Sequence, residues 1–78
     1  MSDENEVMST EDRLIYMANQ IARNLAALGD EEATAMTADH IHAFWDPAMK
    51  RRIAALAAAR PQALTPIAAA AIGRVAIP

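Results

Sequence analysis

The sequence predicts an all-α fold: a small bundle of three to four helices that includes an antiparallel helical hairpin. Three observations predict it. Apolar residues recur at three-and-four spacing and nowhere alternate in the strand pattern. Alanine, the strongest helix former, supplies 20 of the 78 residues. One glycine and two acid-or-hydroxyl–proline pairs then cut the chain into segments of ordinary helix length.

The elements follow in order. Residues 1–9 are acidic and polar and are expected to form a disordered tail. Ser9 suits a helix N-cap, with Thr10 as the alternative, and it sets Glu11 and Asp12 in a first turn whose dipole favours carboxylates. Leu14, Met17, Ala18, Ile21, Leu25 and Leu28 make an apolar stripe on this first helix. Gly29 is the expected C-terminal cap. Asp30 is expected to cap a second helix, with Glu31 and Glu32 in its first turn and Ala33, Met36, Ile41, Phe44 and Trp45 at its apolar positions. So short a link sets the two helices antiparallel.

Asp46-Pro47 is the clearest break. Proline disfavours helical geometry at the residue before it and suits the first position of a new helix, leaving Asp46 to cap. Met49, Ile53, Leu56 and Ala57 share one face of this third helix, and Arg60-Pro61 stops it. Thr65-Pro66 repeats the cap-then-proline signal ahead of a short fourth helix, Ile67 to Val75, with Gly73 weakening its end. The chain therefore divides into the tail at 1–9, a helical core at 10–60 and an Ala-rich C-terminal helical segment at 61–78. Ala-faced helices pack well only against something close, so that last segment is the one most in need of a partner.

Composition narrows the function. A chain of this length makes one domain at most. It has no cysteine, which excludes a disulfide framework, a cysteine-ligated zinc and an iron–sulfur cluster held by this chain alone. The N-terminus has the wrong charge for a secretory or transit peptide, and the apolar C-terminal stretch is too short to span a bilayer. A soluble, cytoplasmic protein is expected. The only serines are Ser2 and Ser9, and the only glycines Gly29 and Gly73. No nucleophile set and no phosphate-cradling loop can be assembled from these. His40 and His42 are two residues apart and diverge by about 200° on a helix, a poor metal geometry. His40 is expected to be a partly buried hydrogen-bonding residue and His42 a surface one. Neither a catalytic residue nor a cofactor or metal ligand is expected in this chain.

Charge is polarised along the sequence. All ten acidic residues lie in residues 1–46 with two basic ones, a net −8, whereas residues 47–78 hold five basic residues and no acid, a net +5. The halves either attract each other or match two partner surfaces. The overall negative charge and the lack of interleaved aromatics speak against nucleic-acid binding.

The densest candidate for recognition is Phe44-Trp45-Asp46-Pro47-Ala48-Met49-Lys50-Arg51-Arg52. Phe44 and Trp45 diverge by about 100° on a helix, so the pair is either core packing or one core residue and one partner anchor. The basic run is a solvated face or a dock for an acidic surface. Asn19 and Gln20, beside the first apolar stripe, are surface amides or make polar contacts across an interface, since an amide pairs with backbone of either polarity. The candidate partner-binding residues are Asn19, Gln20, Phe44, Trp45, Asp46, Pro47, Met49, Arg51 and Arg52, with Asp46 and Pro47 acting structurally.

Leu14, the block Met17-Ala18-Asn19-Gln20-Ile21, then Ala38-Asp39-His40-Ile41 and Phe44-Trp45-Asp46-Pro47 with Met49 and the basic residues after it, together resemble the delta subunit of soluble, NAD-dependent, molybdenum-containing formate dehydrogenases. The likeness covers roughly residues 13–53, and Leu64-Thr65-Pro66-Ile67 resembles the family's C-terminal end more weakly. Ala48 and Ile41-His42-Ala43 stand where family members often carry arginine. The resemblance implies a non-catalytic accessory subunit that stabilises or assembles the complex. The larger subunits would hold the molybdenum cofactor, the iron–sulfur clusters, FMN and NAD. The alternatives are a transient maturation factor for the molybdenum subunit and a free-standing helical interaction module.

Overall fold

The computed structural model describes residues 9–76. The expected disordered tail at 1–9 lies, but for Ser9, outside the described residues, as do the last two residues of the C-terminal segment. Four α-helices form the bundle: α1 (Thr10–Leu25), α2 (Asp30–Phe44), α3 (Pro47–Ala59) and α4 (Pro66–Ala76). Short 3-10 turns, Ala26–Leu28 and Pro61–Ala63, join α1 to α2 and α3 to α4. The described residues contain no strand.

Local chemistry places most boundaries. The Ser9 hydroxyl accepts from the Asp12 backbone N–H at 3.0 Å and starts α1. Asp46 caps α3, its Oδ1 accepting from Met49 N at 2.8 Å, and Pro47 follows at the first helical position. The Thr65 hydroxyl caps α4 by accepting from Ala68 N at 3.2 Å, and the helix runs past Gly73 to Ala76.

The α1–α2 junction differs from the sequence expectation on both sides. Helix α1 ends at Leu25 with Ala26, not Gly29, as its cap. Gly29 closes the 3-10 turn that follows and also occupies the N-cap position of α2, where its carbonyl accepts from Ala33 N at 2.8 Å. Asp30 therefore lies inside the first turn with Glu31 and Glu32 rather than capping it. Gly29 sits at φ 95°, ψ 155°, a backbone region essentially closed to residues with a Cβ. That conformation turns the chain between the two arms of the hairpin.

The core gathers Leu14, Ile15, Ala18 and Ala22 from α1, Ile41 and Trp45 from the end of α2, Ile53 from α3, and Leu64, Ala68 and Ile72 from the α4 region. Helix α4 packs on all three other helices, and most extensively on α2. Helices α2 and α3, consecutive in sequence, scarcely touch. The Ala-rich segment thus finds its close neighbour within the chain. Ala68, Ala71 and Ile72 are buried on α4, while α2 buries Ala33, Thr34, Thr37, Ala38 and Ile41.

This pairing corrects the phase expected for α2. Its buried face includes two threonines and Ala38, whereas Met36 and Phe44 point outward, 42% and 75% exposed. Small side chains let two helix backbones approach closely, and Thr methyls serve there as well as apolar residues do. The cost is visible at Thr37, which is wholly buried with no hydrogen-bond partner for its hydroxyl. On α1, Ile15 and Ala22 join the buried face while Met17 is exposed; Leu28, also expected on the stripe, is exposed in the 3-10 turn that follows.

Candidate docking surface

The break after α2 separates the two adjacent aromatics. Phe44 is the last helical residue, and its ring points outward. Trp45 leaves the helix at φ −90°, ψ 139°, which turns its indole inward, where it is 5% exposed against the core. Its backbone N–H still donates to Ile41 O at 3.0 Å, so the turn follows the helix end without a gap in the ladder. Of the pair, then, Phe44 is offered to solvent and Trp45 holds the corner together. Asp46 and Pro47 are exposed but act as helix punctuation. Met49 is half-buried and packs on the core.

The basic run divides similarly. Arg52 lies 3.6 Å from Glu11 at the start of α1. Arg60 pairs with Asp12 at 3.4 Å and Arg74 with Glu31 at 3.1 Å. Each of these pairs joins the acidic half of the sequence to the basic half, so the polarity is partly used inside the molecule. All are solvent-exposed and individually weak. Among the described residues no carboxylate lies within 4 Å of Lys50 or Arg51. With Ala54, Val75 and Ala76 these two line a shallow groove of ≈ 230 Å³.

Asn19 and Gln20 are tied within the chain. Asn19 Nδ2 donates to Ala63 O at 3.0 Å, and Thr65 N donates to Asn19 Oδ1 at 2.9 Å. One half-buried amide thereby serves a carbonyl and an N–H on the turn that leads into α4. Gln20 Oε1 accepts from Arg23 Nη1 at 3.1 Å. Pairing with backbone of both polarities is what an amide can do, and the backbone it meets is the chain's own.

The outer face of α2 was not singled out in the sequence. Met36, His40 and Phe44 stand four residues apart on it, and the His40 and Phe44 rings lie 4.8 Å apart between centroids, tilted by 43°. His40 is exposed, not partly buried, because the buried face of α2 runs along the threonines on the other side. Leu25 from α1 completes a groove of ≈ 350 Å³ with Met36, Asp39, His40, Ala43 and Phe44. The usable signal was the four-residue spacing of Met36, His40 and Phe44, out of phase with Ala33, Thr37 and Ile41.

Among the described residues no group of three or more His, Asp or Glu side chains is placed to hold a metal ion, and no helix is long and apolar enough to cross a membrane. No curated protein and no solved structure matches the chain. A family model described as NADH-dependent formate dehydrogenase delta subunit FdsD matches residues 13–72. That span takes in α1 from its first turn, the hairpin, the Phe44–Arg52 corner and most of α4, so the chain belongs to the family of NADH-dependent formate dehydrogenase delta subunits.

Proposed function

We propose that this chain is a non-catalytic accessory subunit that stabilises or assembles a cytoplasmic NAD-dependent formate dehydrogenase. It binds larger subunits that carry the molybdenum cofactor, the iron–sulfur clusters, FMN and NAD, and holds no cofactor itself. The observation that carries this reading is family membership over residues 13–72. A second feature supports it: a chain of this size exposes Tyr16, Met17, Leu28, Met36 and Phe44, each more than a third accessible. Met36 and Phe44 line one groove, and exposed apolar residues that share a surface of a small protein mark interaction sites. Within the Phe44–Arg52 corner, Phe44 and Arg51 make the contacts. Trp45, Asp46, Pro47 and Met49 set their positions, and Arg52 remains tied to Glu11.

The test compares the host with and without this chain. Deletion is expected to lower the amount of assembled formate dehydrogenase, with turnover per assembled complex unchanged. Gentle affinity purification of the tagged chain should recover the larger subunits in stoichiometric amounts. Molybdenum-deficient enzyme after deletion, combined with absence of the chain from mature complex, would replace the accessory reading with a transient maturation factor. Recovery of the chain free of formate dehydrogenase subunits would leave an independent helical module.

A further inference from the structure

The large exposed apolar side chains are confined to one half of the chain. All five large ones among the described residues lie on α1, α2 and the turn between them, and α3 and α4 expose none. Phe44 is the most exposed at 75%. Phe44, His40 and Met36 form a continuous row on α2, with Leu25 behind them as the wall of a groove. Helix α2 also carries Asp30, Glu32 and Asp39, and among the described residues no Lys, Arg or His side chain lies within 4 Å of any of them. Glu32 is one turn before Met36, and Asp39 lines the groove itself. Glu31, by contrast, is paired with Arg74. The groove holds no Lys or Arg of this chain.

From this arrangement we infer that the outer face of α2, from Met36 to Phe44, is the principal docking surface for the partner. Its occupant is an apolar segment of a larger formate dehydrogenase subunit flanked by lysine or arginine. The inference rests on the accessory-subunit reading and deepens it. The apolar row supplies the buried centre of the contact, with Phe44 as the anchor. The unpaired carboxylates at its edge select a basic rim and speed encounter. A flanking acid on the partner would face Asp39 without compensation and would be disfavoured.

The test measures binding of this chain to the complex of larger subunits purified from a strain lacking it. Phe44→Glu and Met36→Glu place a charge in the apolar contact, and Phe44→Ala removes the anchor without adding one. Because both side chains are exposed in this structure, each variant should melt within a few degrees of wild type, checked by circular dichroism. Phe44→Glu is expected to weaken binding at least ~30-fold, the factor of a central anchor. Phe44→Ala should weaken it in the same direction by less. Asp39→Lys should weaken binding and flatten its salt dependence. Ala58→Glu, at an exposed position of α3, should change it less than about threefold. Unchanged affinity in both Phe44 variants and in Met36→Glu, with wild type binding normally, overturns the inference while the accessory reading stands. Loss of binding in Arg51→Glu alone would move the interface to the basic groove and also overturn it. No binding by wild type overturns both.

Discussion

Asn19 is the most informative residue to change. Its amide makes two hydrogen bonds to a turn more than forty residues later, at 3.0 Å to Ala63 O and 2.9 Å from Thr65 N. Asn19→Ala removes both. A hydrogen bond contributes about 1 kcal/mol net, so the pair accounts for about 2 kcal/mol, and more where the orphaned backbone groups stay out of reach of water. A domain of this size loses roughly 4–8 °C per kcal/mol. The expected drop in melting temperature is therefore roughly 8–16 °C, read by circular dichroism at neutral pH. Asn19→Asp sharpens the test. The new carboxylate still accepts from Thr65 N but faces Ala63 O with no proton to donate, so at neutral pH it should be at least as damaging as alanine. Protonating the new carboxyl restores a donor toward Ala63 O, so relative to Asn19→Ala the Asp variant should regain stability on acidification. A melt of Asn19→Ala within about 2 °C of wild type would refute the reasoning. It would mean that Pro61, Pro66 and the Thr65 cap hold the turn unaided.

Three further outcomes follow from the same structure. Thr37→Val keeps the shape of a wholly buried side chain and removes a hydroxyl that has no partner; it should raise stability by about 1 kcal/mol in denaturant titration, and a loss of that size would reveal a hidden bond. Trp45→Ala empties the corner between α2 and α3 and should cost about 3–5 kcal/mol, a large share of the stability of a small domain, seen as a collapsed melting transition. Gly29→Ala meets open space for its Cβ but forces φ 95° on an alanine; the expected loss of about 1–3 kcal/mol is backbone strain alone, measurable by chemical denaturation.

Where short-range chemistry decides, the sequence was easily legible. Ser9, Asp46-Pro47 and Thr65-Pro66 each bound a helix through contacts within three residues, and each stands where its pattern places it. The shift of the α2 cap from Asp30 to Gly29 arose because one glycine can both close a turn and open the helix after it, and its positive φ cannot be read from its neighbours. The phase of α2 was harder. Its inner face is selected by size rather than hydropathy, so Thr34, Thr37 and Ala38 outrank Met36 and Phe44 only once α4 is known to lie against them. The candidate site shows the same division. The distinction between Phe44 and Trp45 depends on where the helix stops, a local matter. The engagement of Asn19 depends on residues from the other end of the chain, and no periodicity in α1 announces it.

The position of α4 also has a consequence for the order of events during synthesis. The helix that touches all three others is translated after them. Until it is complete, the alanine and threonine face of α2 lacks the helix that packs most extensively on it. Chains emerge at roughly 5–20 residues per second, so the 11 residues of α4 alone take about 0.5–2 s to make. The bundle closes late and through contacts distant in sequence, which slows folding relative to a bundle of neighbouring helices. During that interval the nascent chain presents to chaperones and partner subunits an inner surface that the finished protein conceals.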